Sequence, residues 1–305
     1  MTKAQEFKPI AGTPLAIAPD LTLVLAPNPS PMTHLGTNTF LLGSDSLAII
    51  DPGPDDEKHL QALINAIDGR PVSHIFVTHS HLDHSPLSRK LSHKTDAPIC
   101  AFGDSAAGRS DIMQALARGG LAGGGEGIDI GFAPHKILRD GEVTKGSWGE
   151  LMAIHTPGHI GNHLCFQWDD AIFTGDQVMG WASSLVSPPD GDLTDFMASC
   201  VKLQSHGARI FYPAHGASIT DPKARLKWLI AHRQHREAQI LMTLKQGPAT
   251  AQQLTNAIYQ DTPASLRAAA ARNVFAHLVD MHQRGIVTSD GPLATDAVFR
   301  IIRSN

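Results

Sequence analysis

Cysteine is scarce in this 305-residue sequence, which contains three of them. Cys100, Cys165 and Cys200 are odd in number and far apart, so the spacing predicts neither a disulfide framework nor a Cys-x-x-Cys metal or redox site. Such low cysteine usage is typical of a protein that stays in a reducing compartment.

Long hydrophobic runs are also absent. No run approaches the roughly 18–20 apolar residues that a membrane span requires. Residues 1–8 carry charges, but no apolar segment of the kind found in a secretory signal follows them. We therefore expect a cytoplasmic protein with no membrane partner.

The sequence has no run of lysine or arginine, and its net charge is only −4. That charge is unevenly divided: residues 221–305 contain 11 Lys/Arg and 6 Asp/Glu, whereas residues 1–220 contain 14 and 23. A mildly basic tail on an acidic body permits an anionic partner but does not require one. Hydrophobic content of 42% and charged content of 18% are ordinary for a globular protein of one large and one small domain.

Histidine, in contrast, is plentiful, with 17 residues. Four side chains of the metal-ligand type fall within six positions, directly after the apolar residues 75–77: His79, His81, Asp83 and His84. Extended backbone would place His79 and His81 on the same side. Ordinary loop histidines in a histidine-rich chain are the alternative. The concentration of four ligand-type side chains at the end of one predicted strand favours a site for zinc or a similar transition metal.

Further ligand-type residues recur at the ends of later predicted strands. His159, Asp176 and His215 each follow an apolar run and lie close to Gly or Pro. Scattered structural histidines would not fall repeatedly at such positions, where functional loops usually begin. The repetition therefore favours a site assembled from several strand ends.

The tail has a pattern of its own. The spacing of apolar residues predicts a long amphipathic helix over 225–245, and a capping box at 250–253 opens a second helix over 250–258. A third helix is predicted after Pro263, up to about residue 284. Two strands, 286–288 and 298–302, complete the tail. Three helices followed by a hairpin predict a winged-helix module. We therefore divide the chain into domains at 1–220 and 221–305.

A glycine-rich stretch, residues 103–131, separates the histidine cluster from the later strands. Apart from a short helix over 112–116, it contains little that could pack. We expect a flexible insertion, either a flap near the site or a surface loop without function.

The strand-end motifs together resemble the metallo-β-lactamase superfamily. The matching segments are 78–84 (THSHLDH), 156–159 (TPGH), 175–176 (GD) and 213–216 (PAHG), preceded by 51–53 (DPG). Residues 187–193, 232–240 and 272–278 further resemble the β-lactamase-like protein 2 group, which carries an extra winged-helix domain. The resemblance implies an α+β fold: a four-layer αββα sandwich with metals at the edge between its sheets, and a small C-terminal winged-helix domain.

The resemblance also implies a set of metal ligands. The first ion would be bound by His79, His81 and His159. The second would be bound by Asp83, His84 and His215, with Asp176 bridging both ions. The expected cofactor is a pair of divalent ions. Zn²⁺ is the preferred identity, and Mn²⁺ or Fe are the alternatives. Asp51 would orient a ligand histidine instead of binding metal itself.

One position departs from the family pattern. Many relatives carry Asp-His after the TPGH motif, whereas this chain has Asn162-His163. An asparagine cannot serve as an acid or an anionic ligand, which argues against a proton relay at residue 162. His163 would either contact substrate or, as we favour, hydrogen-bond the ligand loop. Trp181, shortly after Asp176, would either stack on a substrate ring or pack in the core.

Two such ions would lower the pKa of water towards about 7, so that a bridging hydroxide attacks an ester, thioester, lactam or phosphodiester. Asp83 is the predicted catalytic residue, orienting the nucleophile. We expect a hydrolase of small molecules, with homodimerisation possible. The alternatives are an endoribonuclease acting on single-stranded RNA and a nucleic-acid-binding regulator with an inactive metal site. The complete ligand set argues against the regulator, and the winged helix and basic tail argue slightly for RNA.

Overall fold

The computed structural model describes residues 7–123 and 127–302. Its first sheet has seven strands in sequential order: β1 Leu15–Ala18, β2 Leu21–Leu25, β3 Asn38–Leu42, β4 Leu47–Ile50, β5 Val72–Phe76, β6 Ile99–Ala101 and β7 Lys136–Ile137. Strands β1 to β4 are antiparallel neighbours, and β4 to β7 are parallel ones. The parallel half needs crossovers, which the first helices provide.

The second sheet has five strands in the order β12-β11-β10-β9-β8. The strands are β8 Val143–Gly146, β9 Gly149–His155, β10 Leu164–Trp168, β11 Ala171–Gly175 and β12 Ile210–Pro213. β11 and β12 are parallel, whereas the other pairs are antiparallel. β9, β11 and β12 therefore run in the same direction, and their carboxyl ends lie at one end of this sheet.

The two sheets pack face to face over an apolar core. Phe40 and Leu42 of β3 enter this core together with Phe166 and Phe173 of the second sheet, whereas Leu41 belongs to a cluster on the opposite face. This is the period-2 alternation expected of strands buried on both faces. Sandwich packing of this kind leaves the strand ends free to carry polar loops.

Helices cover both outer faces. The helices on the first sheet are α1 Glu57–Ile67 and α2 Leu87–Thr95; those on the second are α4 Leu193–Ser205 and α5 Pro222–Leu244. α1 forms because Leu60, Leu63 and Ile67 recur at helical spacing and are buried on one face, and the Asp56 side chain caps it by accepting from His59 N at 2.8 Å. The predicted αββα fold is therefore confirmed. Among the described residues, no helix combines the length and the apolar character needed to cross a membrane.

The C-terminal region forms the predicted winged-helix domain. It contains α6 Ala251–Ile258, a 3₁₀ turn Ala264–Leu266, α7 Arg267–Gln283, and a small sheet of β13 Ala249–Thr250, β14 Val287–Ser289 and β15 Val298–Ile301. The capping box at the start of α6 is formed by Thr250 and Gln253. The division at 220/221 stays a prediction, because α5 contributes Leu226 to the sandwich and Leu244 to the winged-helix core.

The insertion differs from expectation. The short helix expected over 112–116 is present as α3 Asp111–Arg118, and it buries Met113 and Leu116 in the winged-helix core. This part of the insertion is therefore packed against the fold, whereas a flexible insertion was expected. The physical reason is a short apolar face whose partner surface is supplied by residues more than a hundred positions away. Residues 124–126 lie outside the described part of the chain. Beyond them, Gly127 O accepts from Leu82 N at 3.1 Å, which places the end of the insertion against the histidine loop.

Candidate metal centre

The seven predicted ligands meet at one edge of the sandwich. Each lies in a loop that follows a strand: β5 precedes His79, His81, Asp83 and His84; β9 precedes His159; β11 precedes Asp176; and β12 precedes His215. All seven are buried, with at most 7% of each residue exposed. The strand ends thus bring together residues up to 136 positions apart in the sequence.

Three imidazole nitrogens form the first group. His81 Nδ1 lies 3.0 Å from both His79 Nε2 and His159 Nε2. Ligand nitrogens about 2.0–2.1 Å from a tetrahedral zinc ion lie roughly 3.3 Å apart, so the spacing fits a shared ion. These three residues could hold a metal together.

The second group contains a carboxylate and two imidazoles. Asp83 Oδ2 lies 3.2 Å from His84 Nε2 and 3.2 Å from His215 Nε2. These three residues also satisfy the geometry of a metal-binding cluster. The mixture of oxygen and nitrogen donors suits zinc, manganese or iron.

Asp176 lies between the two groups. Its Oδ1 is 3.2 Å from His215 Nε2 and 3.7 Å from His84 Nε2, whereas its Oδ2 is 3.6 Å from His159 Nε2. One carboxylate therefore presents an oxygen to each group, as a bridging ligand does.

Several atoms that could bind a metal are buried and have no hydrogen-bond partner among the described residues. They are Asp83 Oδ1 and Oδ2, His84 Nε2 and Asp176 Oδ1. Buried polar atoms are normally paired, because leaving one unpaired costs about 1–3 kcal/mol. A pair of cations would satisfy all four atoms. The residues present therefore fit the metals that the resemblance implies.

Outer contacts orient the ligand rings. Asp51 Oδ2 lies 3.0 Å from His84 Nδ1, and the same carboxylate accepts from Thr78 N and Thr78 Oγ1, each at 2.7 Å. Thr78 Oγ1 lies 2.9 Å from His79 Nδ1. Asp51 thus reaches one predicted ligand histidine directly and a second through Thr78, an arrangement that leaves the Nε2 atom of each ring available to a metal ion. No role was predicted for Thr78, although its position immediately before His79 is the sequence feature that indicates contact with a ligand residue.

Backbone carbonyls orient two further rings. His159 Nδ1 donates to Leu185 O at 2.7 Å, and His215 Nδ1 donates to Gly36 O at 3.2 Å. Sequence reasoning missed both acceptors, because a main-chain oxygen leaves no side-chain signature.

We expect Asp51→Asn to weaken metal binding about 10- to 100-fold, as losses of outer-contact residues typically do. The amide cannot accept from Thr78 and His84 as the carboxylate does, whereas asparagine tolerates the left-handed φ of 51° at this position. A competition titration against a chromophoric chelator measures the affinity. Asp20→Asn is the matched control, since Asp20 is exposed and has a similar φ of 54°. Equal affinities of the two variants would contradict the role of Asp51.

His163 and Asn162 contact the protein itself. His163 Nε2 accepts from the backbone N–H of Asp176 at 3.2 Å, and its Nδ1 lies 2.9 Å from Thr156 Oγ1. His163 thus binds the loop that carries Asp176, in agreement with the favoured alternative. Asn162 Nδ2 donates to Ser80 Oγ and Asp104 O, each at 2.9 Å, and so connects the histidine loop to the insertion.

The two ligand groups differ in charge. Burial, followed by repulsion from His159, lowers the pKa of His81 to about 3, and burial also lowers the pKa of His79. In the second group burial opposes protonation, but Asp176 and Asp83 outweigh it and raise the pKa of His215 to about 10. Neutral imidazoles are ready to bind a cation, whereas in the second group a cation would displace a proton.

Trp181 is not a core residue. It is 39% exposed, its ring centroid lies 5.0 Å from that of His34, and it packs against Gly216, the neighbour of His215. A Cβ at Gly216 would come within 2.9 Å of Trp181 Cδ1. Trp181 therefore lies against the loop that carries His215 and lines a cavity.

Comparison with known proteins agrees with this architecture. The family model described as metallo-beta-lactamase superfamily matches residues 32–215, and that of the beta-lactamase associated winged helix domain matches residues 250–294. The chain is 30% identical to a beta-lactamase-like protein 2 homolog of Drosophila melanogaster over 86% of this chain and 87% of that protein. It is also 30% identical to the atrochrysone carboxyl ACP thioesterase of Aspergillus fumigatus, over 82% of this chain and 76% of that one.

A solved structure is similar over almost the whole length. The crystal structure of a metallo-beta-lactamase family protein from Thermus thermophilus superposes with a TM-score of 0.73 at 25% identity, covering 94% of this chain and 100% of that one. The likeness includes the winged-helix region as well as the sandwich. The chain therefore belongs to the metallo-beta-lactamase superfamily, as a hydrolase-class enzyme with an associated C-terminal winged-helix domain.

Proposed function

We propose that this enzyme is a dinuclear metal-dependent hydrolase that cleaves a thioester or a related ester of a small molecule. The observation that carries the proposal is the position of Asp176, which presents one oxygen to each of two ligand groups. The first ion would be held by His79, His81 and His159, and the second by Asp83, His84 and His215. Zinc suits this donor set, as do manganese and iron.

When bound, such a pair of ions lowers the pKa of water towards about 7 and stabilises the charge that develops on the substrate oxygen. Asp83 would also act on the water, in addition to binding metal, because its Oδ1 is buried and has no hydrogen-bond partner in the described part of the chain. That oxygen is available to accept a hydrogen bond from the attacking water and to orient it towards the carbonyl carbon. Asp51 and Thr78 meanwhile keep the ligand rings in a single orientation.

The choice of thioester has separate support. A relative that matches most of this chain is named a thioesterase. RNA cleavage, the alternative, has less support, because none of the relatives compared above is named a ribonuclease and two arginines of the winged-helix domain are already paired with carboxylates. Arg284 pairs with Glu237 and Asp280, and Arg300 pairs with Asp290. Charges already paired contribute little to phosphate binding.

A direct comparison of substrates tests the proposal. We expect the metal-loaded enzyme to hydrolyse members of a panel of thioesters, esters and lactones, with turnover abolished in Asp83→Ala. A labelled single-stranded RNA assayed in parallel should stay intact. RNA cleavage that survives high-salt purification and disappears in Asp83→Ala would instead establish the ribonuclease. Hydrolysis of no panel member would refute the proposal.

A further inference from the structure

A cavity of about 240 Å³ lies between the loop after Asp176 and the C-terminal helices. Met179 and Leu185 of that loop line one side, whereas Arg233 and Arg236 of α5 and Tyr259 after α6 line the other. We call it the arginine cavity. Its size is close to the lower end of the range for small-molecule sites, about 300 Å³.

Arg233 places a buried charge at this cavity. The residue is only 2% exposed, and its guanidinium donates to Asn273 Oδ1 at 2.9 Å and to Ser184 O. No carboxylate lies within ion-pair distance of it in residues 7–123 and 127–302, and its Nε has no hydrogen-bond partner there. A buried arginine without an acidic partner is costly, and an anionic ligand would offset the cost.

Arg236 adds a second cation one helical turn further along α5. Its guanidinium lies 4.3 Å from the ring centroid of Tyr259, and it donates to Gln239 Oε1 at 2.8 Å. It too has an unpartnered buried Nε and no ion pair within the described residues. Burial, followed by repulsion from Arg233 and Arg236, lowers the pKa of the neighbouring His232 to about 4. The cavity is therefore a region of concentrated positive charge.

The cavity adjoins the metal centre through shared residues. Leu185 lines the cavity, and its carbonyl accepts from the ligand His159. Trp181 lines it as well and packs against Gly216, next to the ligand His215. These contacts place the cavity beside the loops that carry two of the proposed ligands.

We propose that the arginine cavity binds an anionic end of the substrate, a carboxylate or phosphate on the acyl or thiol portion, and that Arg236 and Arg233 determine this specificity. Guanidinium groups bind both anions through paired N–H donors. This proposal depends on the proposed hydrolase function in one respect, namely that the bound anion is part of the substrate. Its binding test is therefore separate from turnover.

The binding test uses calorimetry on the metal-loaded enzyme with inorganic phosphate and with glutarate. We expect at least one anion to bind, and Arg236→Gln to weaken it about 10- to 100-fold, the usual effect of losing a hydrogen bond to a charged group. Arg300→Gln, a winged-helix arginine outside the cavity, should have no effect. Ala269→Leu, which fills the cavity and keeps both arginines, should weaken binding as well. Because phosphate and glutarate are titrated separately, their affinities distinguish the two kinds of anion.

The kinetic test compares matched thioesters that differ only in a neutral or an acidic terminus. We expect the acidic one to have the higher kcat/KM, and Arg236→Gln to remove that preference and leave the neutral substrate unchanged. Thioester turnover without Arg236-dependent anion binding would overturn the cavity assignment and leave the hydrolase intact. Arg236-dependent anion binding without any turnover would sustain the site and refute the hydrolase. Arg236-dependent binding of a single-stranded oligoribonucleotide, with neither small anion bound, would also overturn the assignment.

Discussion

Asp176→Asn should lower kcat by about 10³-fold or more, a loss at least as large as that of one preorganised electrostatic group in an active site. The carboxylate presents Oδ1 3.2 Å from His215 Nε2 and Oδ2 3.6 Å from His159 Nε2. The amide has almost the same volume, but it loses the negative charge and would direct an NH₂ group at one of the two proposed cations. We therefore expect the metal content to fall from about two ions per chain to about one.

Elemental analysis of chelator-free protein and a steady-state assay measure these two quantities together. Asp170→Asn is the matched control, because Asp170 lies in the turn before β11 and pairs with Arg209 at the surface. The control should keep both its metal and its activity. If Asp176→Asn retained a full metal complement and normal kcat, the dinuclear proposal would be wrong.

Gly158→Ala should destabilise the protein by about 3–5 kcal/mol, the combined effect of backbone strain and overpacking. Gly158 has a φ of 142°, a conformation that side chains rarely adopt. An added Cβ would lie 2.3 Å from Phe196 Cα and 2.5 Å from Phe196 N. Both contacts involve the backbone of α4, which cannot rotate away as a flexible side chain could. His159 is the next residue, so metal affinity should fall together with stability.

Urea denaturation of the two variants gives the comparison. Gly141→Ala has a positive φ of 76° but no atom within 4 Å of the added Cβ, and should cost only about 1–2 kcal/mol. Close agreement between the two free energies of unfolding would show that the contact with α4 is unimportant. A larger loss for Gly158→Ala would show that the close approach of α4 to the ligand loop is required.

Local patterns in the sequence predicted the elements that depend on near neighbours. The helix at 57–67 follows from apolar spacing, and the capping box at Thr250 follows from residues three positions apart. The ligand side chains were also identifiable one by one, because each lies at the end of an apolar run. Their assignment to two ions needed the resemblance to a family, since spacing along the chain does not specify which ligands share a metal.

Contacts between distant segments could not be predicted in this way. The packing of Met113 against the winged helix, the donation from His159 to Leu185 O, and the contact between Val186 N and Asn273 Oδ1 each join different parts of the fold. The last pair is 87 residues apart. A main-chain acceptor or a short apolar face has no distinctive residue type, so its role depends on the surface that arrives beside it.

The sequence by itself thus determined the superfamily, the sandwich with its winged helix, and the residue types of the metal centre. The winged helix and the residue types follow from periodicity and from motifs whose chemistry is local. The superfamily and its sandwich follow only from the resemblance of those motifs to a known family. The tertiary structure alone gave the distances from Asp176 to the two ligand groups, a position that the resemblance had implied. It alone also placed Arg233 and Arg236 at one cavity. The reason is that electrostatic interaction depends on distance in space and on burial, and neither can be read from the separation of residues along the chain.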